Sequence, residues 1–408
     1  MAEEHDSHYL KSVTSLGDER KVIASEDIYS QSGIKLASRG ARIDSSFYDR
    51  LVKHKLMSGL DNCMTVDDAV DAAEIASAAR QAAETEPDFA KLPELVDMDV
   101  MRAAISRIHL NSALAFKMTV ARDQRRDIYR HTLRILLLSV YLGIRQKLPG
   151  HRLTELATAA LFHDLGELHI DPDILGKPAP LTQEERRHIY AHPMTAYVLL
   201  KEFPQYHPAI STAVLEHHEY LDGSGYPAGL TSKRISEFGR MLSTAEVAAS
   251  LLEKSRPEIA LKFNKNKHDM NLIGHLSELF RARQIDVHPE QSIPRMNAQL
   301  TRLAEAFERW DGLCGDAPVF RLADQRIGEI RQSLYDAGFN PAETGWLTRG
   351  IEGNEEAMLD VQALIDETSW QLLSLSREIN RLWPGSEGES DAQTINDWIA
   401  EYGSPSQT

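Results

Sequence analysis

Nine of the sixteen histidines in this 408-residue chain fall between positions 127 and 246. His217 and His218 are adjacent, His163 is followed directly by Asp164, and Asp127 precedes His131 by four residues. An i, i+4 pair shares one helix face, so Asp127 and His131 can serve one centre. His192 stands on a stretch that opens at Thr182, and Glu246 follows a glycine-rich segment. Imidazole and carboxylate donors without thiolate suit Fe, Mn, Zn or Ni, not an all-oxygen Ca or Mg site. This many candidate ligands suffices for two or more ions about 4 Å apart, which would clamp the attacking and leaving oxygens of a phosphoryl displacement. The lone histidines His151, His169, His188 and His207 are read as surface or hydrogen-bonded residues.

The elements that must position these groups are mostly helical. Residues 98–264 carry apolar residues at three- and four-residue spacing in successive stretches. Thr182 with Glu185 fits a capping box, placing a helix start there. Pro193 lies inside that stretch and is expected to kink it or begin a new segment. The loop DGSGYPAGL (222–230) is too rich in glycine and proline for helix. Residues 1–66 read as a small mixed α/β unit. In it KVIASEDIY and GIKLASRGARI are short strands parted by a Ser32-Gly33 turn, and FYDRLVKHKL is a short helix. Residues 67–97 read as an exposed, Ala- and acid-rich helical linker. Residues 265–408 read as a helical C-terminal region, with helices at 295–311, 319–337 and 353–382 and a loose polar tail from 384.

The net charge of −16 disfavours a nucleic-acid polymer as partner, since that needs a basic footprint. Two distant cysteines, Cys63 and Cys314, exclude a disulfide framework and suit a reducing compartment. The longest apolar run, Ile135–Ile144, is too short to span a bilayer. These features read as a soluble, cytoplasmic, mainly α protein.

Three stretches resemble the HD-GYP family, the cyclic di-GMP phosphodiesterase branch of the HD phosphohydrolase superfamily. They are LFHDLGELHIDPDILGKPAPLTQEERRHIYAHP (161–193), EHHEYLDGSGYPAGL (216–230) and GRMLSTAEVAASLLEKSRP (239–257). The second contains the pattern HHExxDGxGYP in full. The resemblance implies an all-helical domain over 98–264 with two or three divalent metal ions, most often iron or manganese. It places ligands at His131, His163, Asp164, His192, His217, His218 and Glu246, with Asp164 bridging two metals and Asp127 where some members hold a third. It implies hydrolysis of cyclic di-GMP to linear dinucleotide or GMP, by in-line attack of a metal-bound hydroxide. Arg256 would contact a phosphate. Gly225, Tyr226 and Pro227 would form either a rigid turn beside the ligands or an exposed anchor for GGDEF-domain proteins.

The chain departs from that pattern in places. Glu167 stands where the family has a lysine that meets substrate phosphate, and it could instead hold an extra metal or contact substrate. At ~6 Å and an effective dielectric near 20, each unit of charge is worth roughly 3 kcal/mol before screening. Glu246 replaces the usual Asp, Asp127 the usual Glu, and Glu258 and Ile259 a tyrosine and a basic residue. Arg256 could equally pair with Glu253 or Glu258. Two further readings therefore stand beside the phosphodiesterase: a weakly active or inactive regulatory module, and a hydrolase of another nucleotide. Whether the C-terminal helices cover the site or form a homodimer interface stays open at this level.

Overall fold

The computed structural model describes residues 2–57, 59–177, 181–252, 254, 256–281, 293–313, 315–340, 354–383 and 389–402. It is mainly helical, as the periodicity anticipates. The helices begin with α1 (Ala2–Glu19), α2 (Tyr48–Val52), α3 (Ala72–Thr85), α4 (Leu92–Leu95), α5 (Met98–Ser106), α6 (Ser112–Gln124), α7 (Arg126–Arg145), α8 (Gly150–Phe162) and α9 (Pro172–Leu175). They continue with α10 (Gln183–Lys201), α11 (Pro208–Glu216), α12 (Glu237–Leu251), α13 (Pro257–Phe263), α14 (Met270–Phe280), α15 (Ile293–Asp311), α16 (Pro318–Asp336), α17 (Glu355–Leu382) and α18 (Glu389–Tyr402). Among the described residues no helix is long and apolar enough to cross a membrane.

Two compact units are present, Met1–Ser250 with Asn266–Leu279, and Leu251–Lys265 with Phe280–Thr408. The sequence reading sets boundaries at 66, 97 and 264. In the structure the N-terminal segment and the ligand-bearing helices share one unit, and residues 251–265 group with the C-terminal helices.

In the first unit, four short strands follow α1: β1 (Val22–Ala24), β2 (Ile28–Tyr29), β3 (Lys35–Ala37) and β4 (Met64–Val66). β1 pairs antiparallel with β4 and β2 with β3. Gly33, at φ +80°, turns the chain between β2 and β3. The polar N-terminus gave no expectation of α1, yet Leu10, Val13 and Leu16 are buried along it. α3 is not simply an exposed linker, because Ile75, Ala79 and Ala83 form a buried face. Alanine allows close helix approach, so an Ala-rich stretch can pack as well as dangle.

The centre of this unit is α7 and α8, which pack along each other. The run Ile135–Leu142 on α7 is core, and α8 is buried from Leu156 to Phe162. A short helix apolar on all sides belongs in an interior. The capping box at Thr182 forms as expected, with Glu185 N–H on Thr182 Oγ1 at 3.2 Å and Thr182 N–H on Glu185 Oε2 at 2.7 Å. Of the two outcomes expected at Pro193, the start of a new segment is corrected: α10 is one helix that continues through it. The carbonyl that a residue-193 N–H would serve, that of Ile189, accepts from His192 Nδ1 at 2.7 Å instead.

In the second unit, α13 and α15–α18 enclose a core that includes Phe263, Trp310, Phe320, Ile327, Leu372, Ile379 and Trp398. The three helices expected there form within two residues of their anticipated ends. The tail expected to be loose is corrected over 389–402. It forms α18, which buries Ile395, Trp398 and Ile399. Their i, i+3, i+4 spacing outweighs the surrounding acidic residues. Residues 384–388 lie outside the described residues.

Lys117 on α6 is only 3% exposed and pairs with Asp61 at 2.6 Å, while Asp61 also accepts from Tyr9 on α1. The Lys117 ammonium lies 3.9 Å from the Tyr9 ring centroid. Removing one partner of a buried pair strands the other charge. Asp61→Ala is therefore expected to cost about 3 to 5 kcal/mol, read as a lower urea midpoint.

Candidate metal centre

Five helices bring the candidate ligands together. α7 carries His131, the end of α8 presents His163 and Asp164, α10 carries His192, the end of α11 presents His217 and His218, and α12 carries Glu246. Asp164 is 5% exposed, and its two oxygens face different ligand sets. Oδ2 lies 2.9 Å from His163 Nε2 and 3.5 Å from His131 Nε2. Glu246 Oε2 joins this side, 3.1 Å from His131 and 3.5 Å from His163. Oδ1 lies 3.3 Å from His192 Nε2 and 3.5 Å from His217 Nε2. The donor atoms of Asp164, His192, His217 and His218 all lie within 4.8 Å of one another, as do those of His131, His163 and Asp164.

The orientation of the imidazoles fits cations between them. Nδ1 of His163, His192 and His217 donates to the carbonyls of Ala160, Ile189 and Val214 at 2.8, 2.7 and 2.6 Å. A carbonyl can only accept, so these nitrogens carry the protons, and in the neutral rings Nε2 is a bare lone pair. Nε2 of His192 and of His217 stand 3.0 Å apart. Two lone pairs at that distance repel unless a proton or a metal ion lies with them. His163 Nε2 is buried and has no aligned hydrogen-bond partner. These residues fit a pair of divalent ions sharing Asp164.

The electrostatics agree. Burial disfavours charge on His131, but Glu246 and Asp164 hold its pKa up at about 9. Burial would raise Asp164 and Glu246, yet the imidazoles, His163 foremost for Asp164 and His131 for Glu246, hold both well below the usual carboxylate range. Burial and the neighbouring His217 and His192 push His218 well below its ordinary value, leaving it neutral. Glu167, on the turn Leu165–His169, faces the same groups. Burial and then Asp164 push its carboxyl up to about 7, against the pull of His192 and His131.

One of the residues singled out on the sequence is not gathered here, and another belongs to the other compact unit. Asp127 sits one turn before His131 on α7, but its side chain is 67% exposed and lies 3.8 Å from Arg125. The shared helix face held, while the first turn of α7 reaches solvent. Arg256 belongs to the second unit, where Asp360, Glu356 and Glu258 lie 2.7, 3.0 and 3.4 Å from its guanidinium. Glu253 lies outside the described residues. Of the histidines set aside, His169 stacks beside Tyr9 at 4.8 Å and His207 caps α11 by accepting from Ala209 N–H.

Close backbone contacts hold the centre. A Cβ on Gly166 would fall 2.2 Å from the His192 carbonyl oxygen, so the turn after Asp164 can touch α10 only with glycine there. A Cβ on Gly225 would fall 2.4 Å from the His218 carbonyl oxygen. Tyr226 stacks on His218 at 4.6 Å and 22°, with Tyr190 4.4 Å away. Glu219, 1% exposed, accepts from Ala228 N–H at 2.6 Å and Leu230 N–H at 2.7 Å. Sequence reasoning assigned Glu219 no role, although it directly follows the histidine pair. It ties the glycine-rich loop back onto those ligands.

Residues 116–265 match the family model described as HD domain. The chain is 29% identical over 286 residues to the cyclic di-GMP phosphodiesterase PA4108 of Pseudomonas aeruginosa, covering 65% of this chain and 66% of that protein. It is 32% identical over 154 residues to the cyclic di-GMP phosphodiesterase PdeB of Borreliella burgdorferi, covering 38% of this chain and 40% of that one. It is 35% identical over 111 residues to the 3'3'-cGAMP-specific phosphodiesterase 3 of Vibrio cholerae, covering 27% and 24%. The matches thus span less than two thirds of these relatives' lengths.

Gly166→Ala is expected to displace the His192 backbone and lower bound metal by at least about tenfold in affinity, as loss of a ligand's support does; competition against a chelator measures it. Metal uptake at pH 7 is expected to release protons, because His131, held near 9 without metal, must lose its proton to ligate. Affinity should therefore rise with pH, and a pH-indicator dye should record the release.

Proposed function

We propose that residues 116–265, which match the HD-domain family model, form an HD-GYP domain, and that the chain is a metal-dependent phosphodiesterase that hydrolyses cyclic di-GMP. The observation that carries this is Asp164, which turns one oxygen to each of two ligand sets. Five imidazoles and two carboxylates without sulfur suit iron or manganese. Two such ions, when bound, acidify a water and polarise the oxygens of a phosphodiester.

The chain's own groups do the rest. His163, His192 and His217 are held with Nε2 inward by their Nδ1–H bonds, so the ligand field needs little rearrangement on binding. Tyr226 and Gly225 clamp His218, which gives the loop a place in the centre. Glu167 can serve as a donor to an additional ion, since burial and the charge of Asp164 push its carboxyl up and a cation would offset both. Arg256 pairs with Glu356 and Asp360 of its own unit, and this reading assigns it no step.

A second reading, a regulatory module or a hydrolase of another cyclic dinucleotide, is favoured by the Glu167 carboxyl at the point where substrate charge would arrive. The 3'3'-cGAMP-specific relative makes that nucleotide the first alternative to try. Metal-loaded protein is expected to convert cyclic di-GMP to linear product, and Asp164→Ala to give none. Absence of product from either nucleotide, with metal present by elemental analysis, would favour the regulatory module. Glu167→Lys is expected to lower turnover more than about tenfold by placing a cation among the ligands, several kcal/mol of repulsion at close range. A rise in turnover would instead mark Glu167 as a device that suppresses catalysis.

A further inference from the structure

His163, His192 and His217 make the same bond, Nδ1–H to the carbonyl three residues earlier. For two of them the carbonyl is free for an ordinary reason. α8 ends at Phe162 and α11 at Glu216, so Ala160 and Val214 lie among the last four carbonyls, which have no helical partner. His192 has no such excuse. It sits in the middle of α10, where each carbonyl is normally taken by the N–H four residues on. The partner of Ile189 would be residue 193, and residue 193 is proline, which has no N–H.

We propose that Pro193 is a positioning residue for the metal centre: by withholding its N–H it creates, in mid-helix, the free carbonyl that holds His192 in the Nδ1–H tautomer with Nε2 turned to the metals. The inference rests on the reading of His192 as a ligand. A helix end could not supply this carbonyl, because α10 must continue past His192 to bury Ala196 and Leu200. Proline in a helix interior is unfavourable by itself, so its presence beside a ligand calls for a local return. The return is a ring held at 2.7 Å by the Ile189 oxygen.

The test uses the full chain with Pro193→Ala and Pro193→Val, both of which restore the N–H; valine also keeps most of the ring's volume. In metal-free, 15N-histidine-labelled protein, two-bond 1H–15N spectra report the tautomer of each ring. Both variants are expected to shift His192 away from the Nδ1–H form, with His163 and His217 unchanged as internal controls. Affinity for Mn2+, measured against a chelator, is expected to fall about tenfold. The thermal midpoint of the metal-free protein should hold or rise, since a helix-breaking residue has been removed. A role in packing alone predicts the opposite, a lower midpoint with the tautomer retained. Unchanged tautomer and unchanged affinity in both variants would overturn the proposal. Wild-type protein that binds no Mn2+, yet shows the tautomer shift in the variants, would keep the tautomer lock and refute the metal centre instead.

Discussion

Asp164 is a carboxylate buried at the meeting point of five helices, with imidazoles on both of its oxygens. A charge so placed is costly unless positive charge surrounds it. Glu246 and Asp164 hold the His131 pKa up, and the imidazoles around Asp164 hold its carboxyl low. Divalent ions supply positive charge more fully and are compatible with neutral rings. The helices of the first unit are arranged so that this one group can be served from two sides.

The candidate ligand histidines arrive by a common device. His163 and His217 follow the last residues of α8 and α11, where unpaired carbonyls and the negative end of the helix dipole favour a nearby cation. His192 obtains the same support inside α10 through Pro193. Outer partners of this kind fix ring orientation and tautomer before any metal binds. Glycine appears where the backbones carrying these residues touch, at Gly166 against His192 and Gly225 against His218. Glu219 then secures the loop through two backbone N–H groups.

Much of this was legible in the chain. The histidine-rich spacing, the glycine-rich loop and the capping box at Thr182 all mark local chemistry, and local chemistry is what sequence records directly. The misreadings share a cause. α1 and α18 are polar stretches with a narrow apolar stripe, so their burial depends on surfaces far away in the chain. Asp127 shares a helix face with His131, but periodicity cannot say how deep its own turn lies. For Arg256 the pairing with Glu258 was one of the two readings the sequence left open, while Glu356 and Asp360, about a hundred positions further on, could not be foreseen.

The sequence by itself determined the ligand types, the helices that carry them and the proline beside His192. These follow from side-chain chemistry and from bonds three or four residues apart. Tertiary structure alone decided that Asp164 divides its oxygens between two ligand sets, that Glu167 faces them, and that Arg256 is taken up by carboxylates. Those outcomes are distances between groups remote in the chain, fixed by how buried helix faces pack, and no local pattern encodes them.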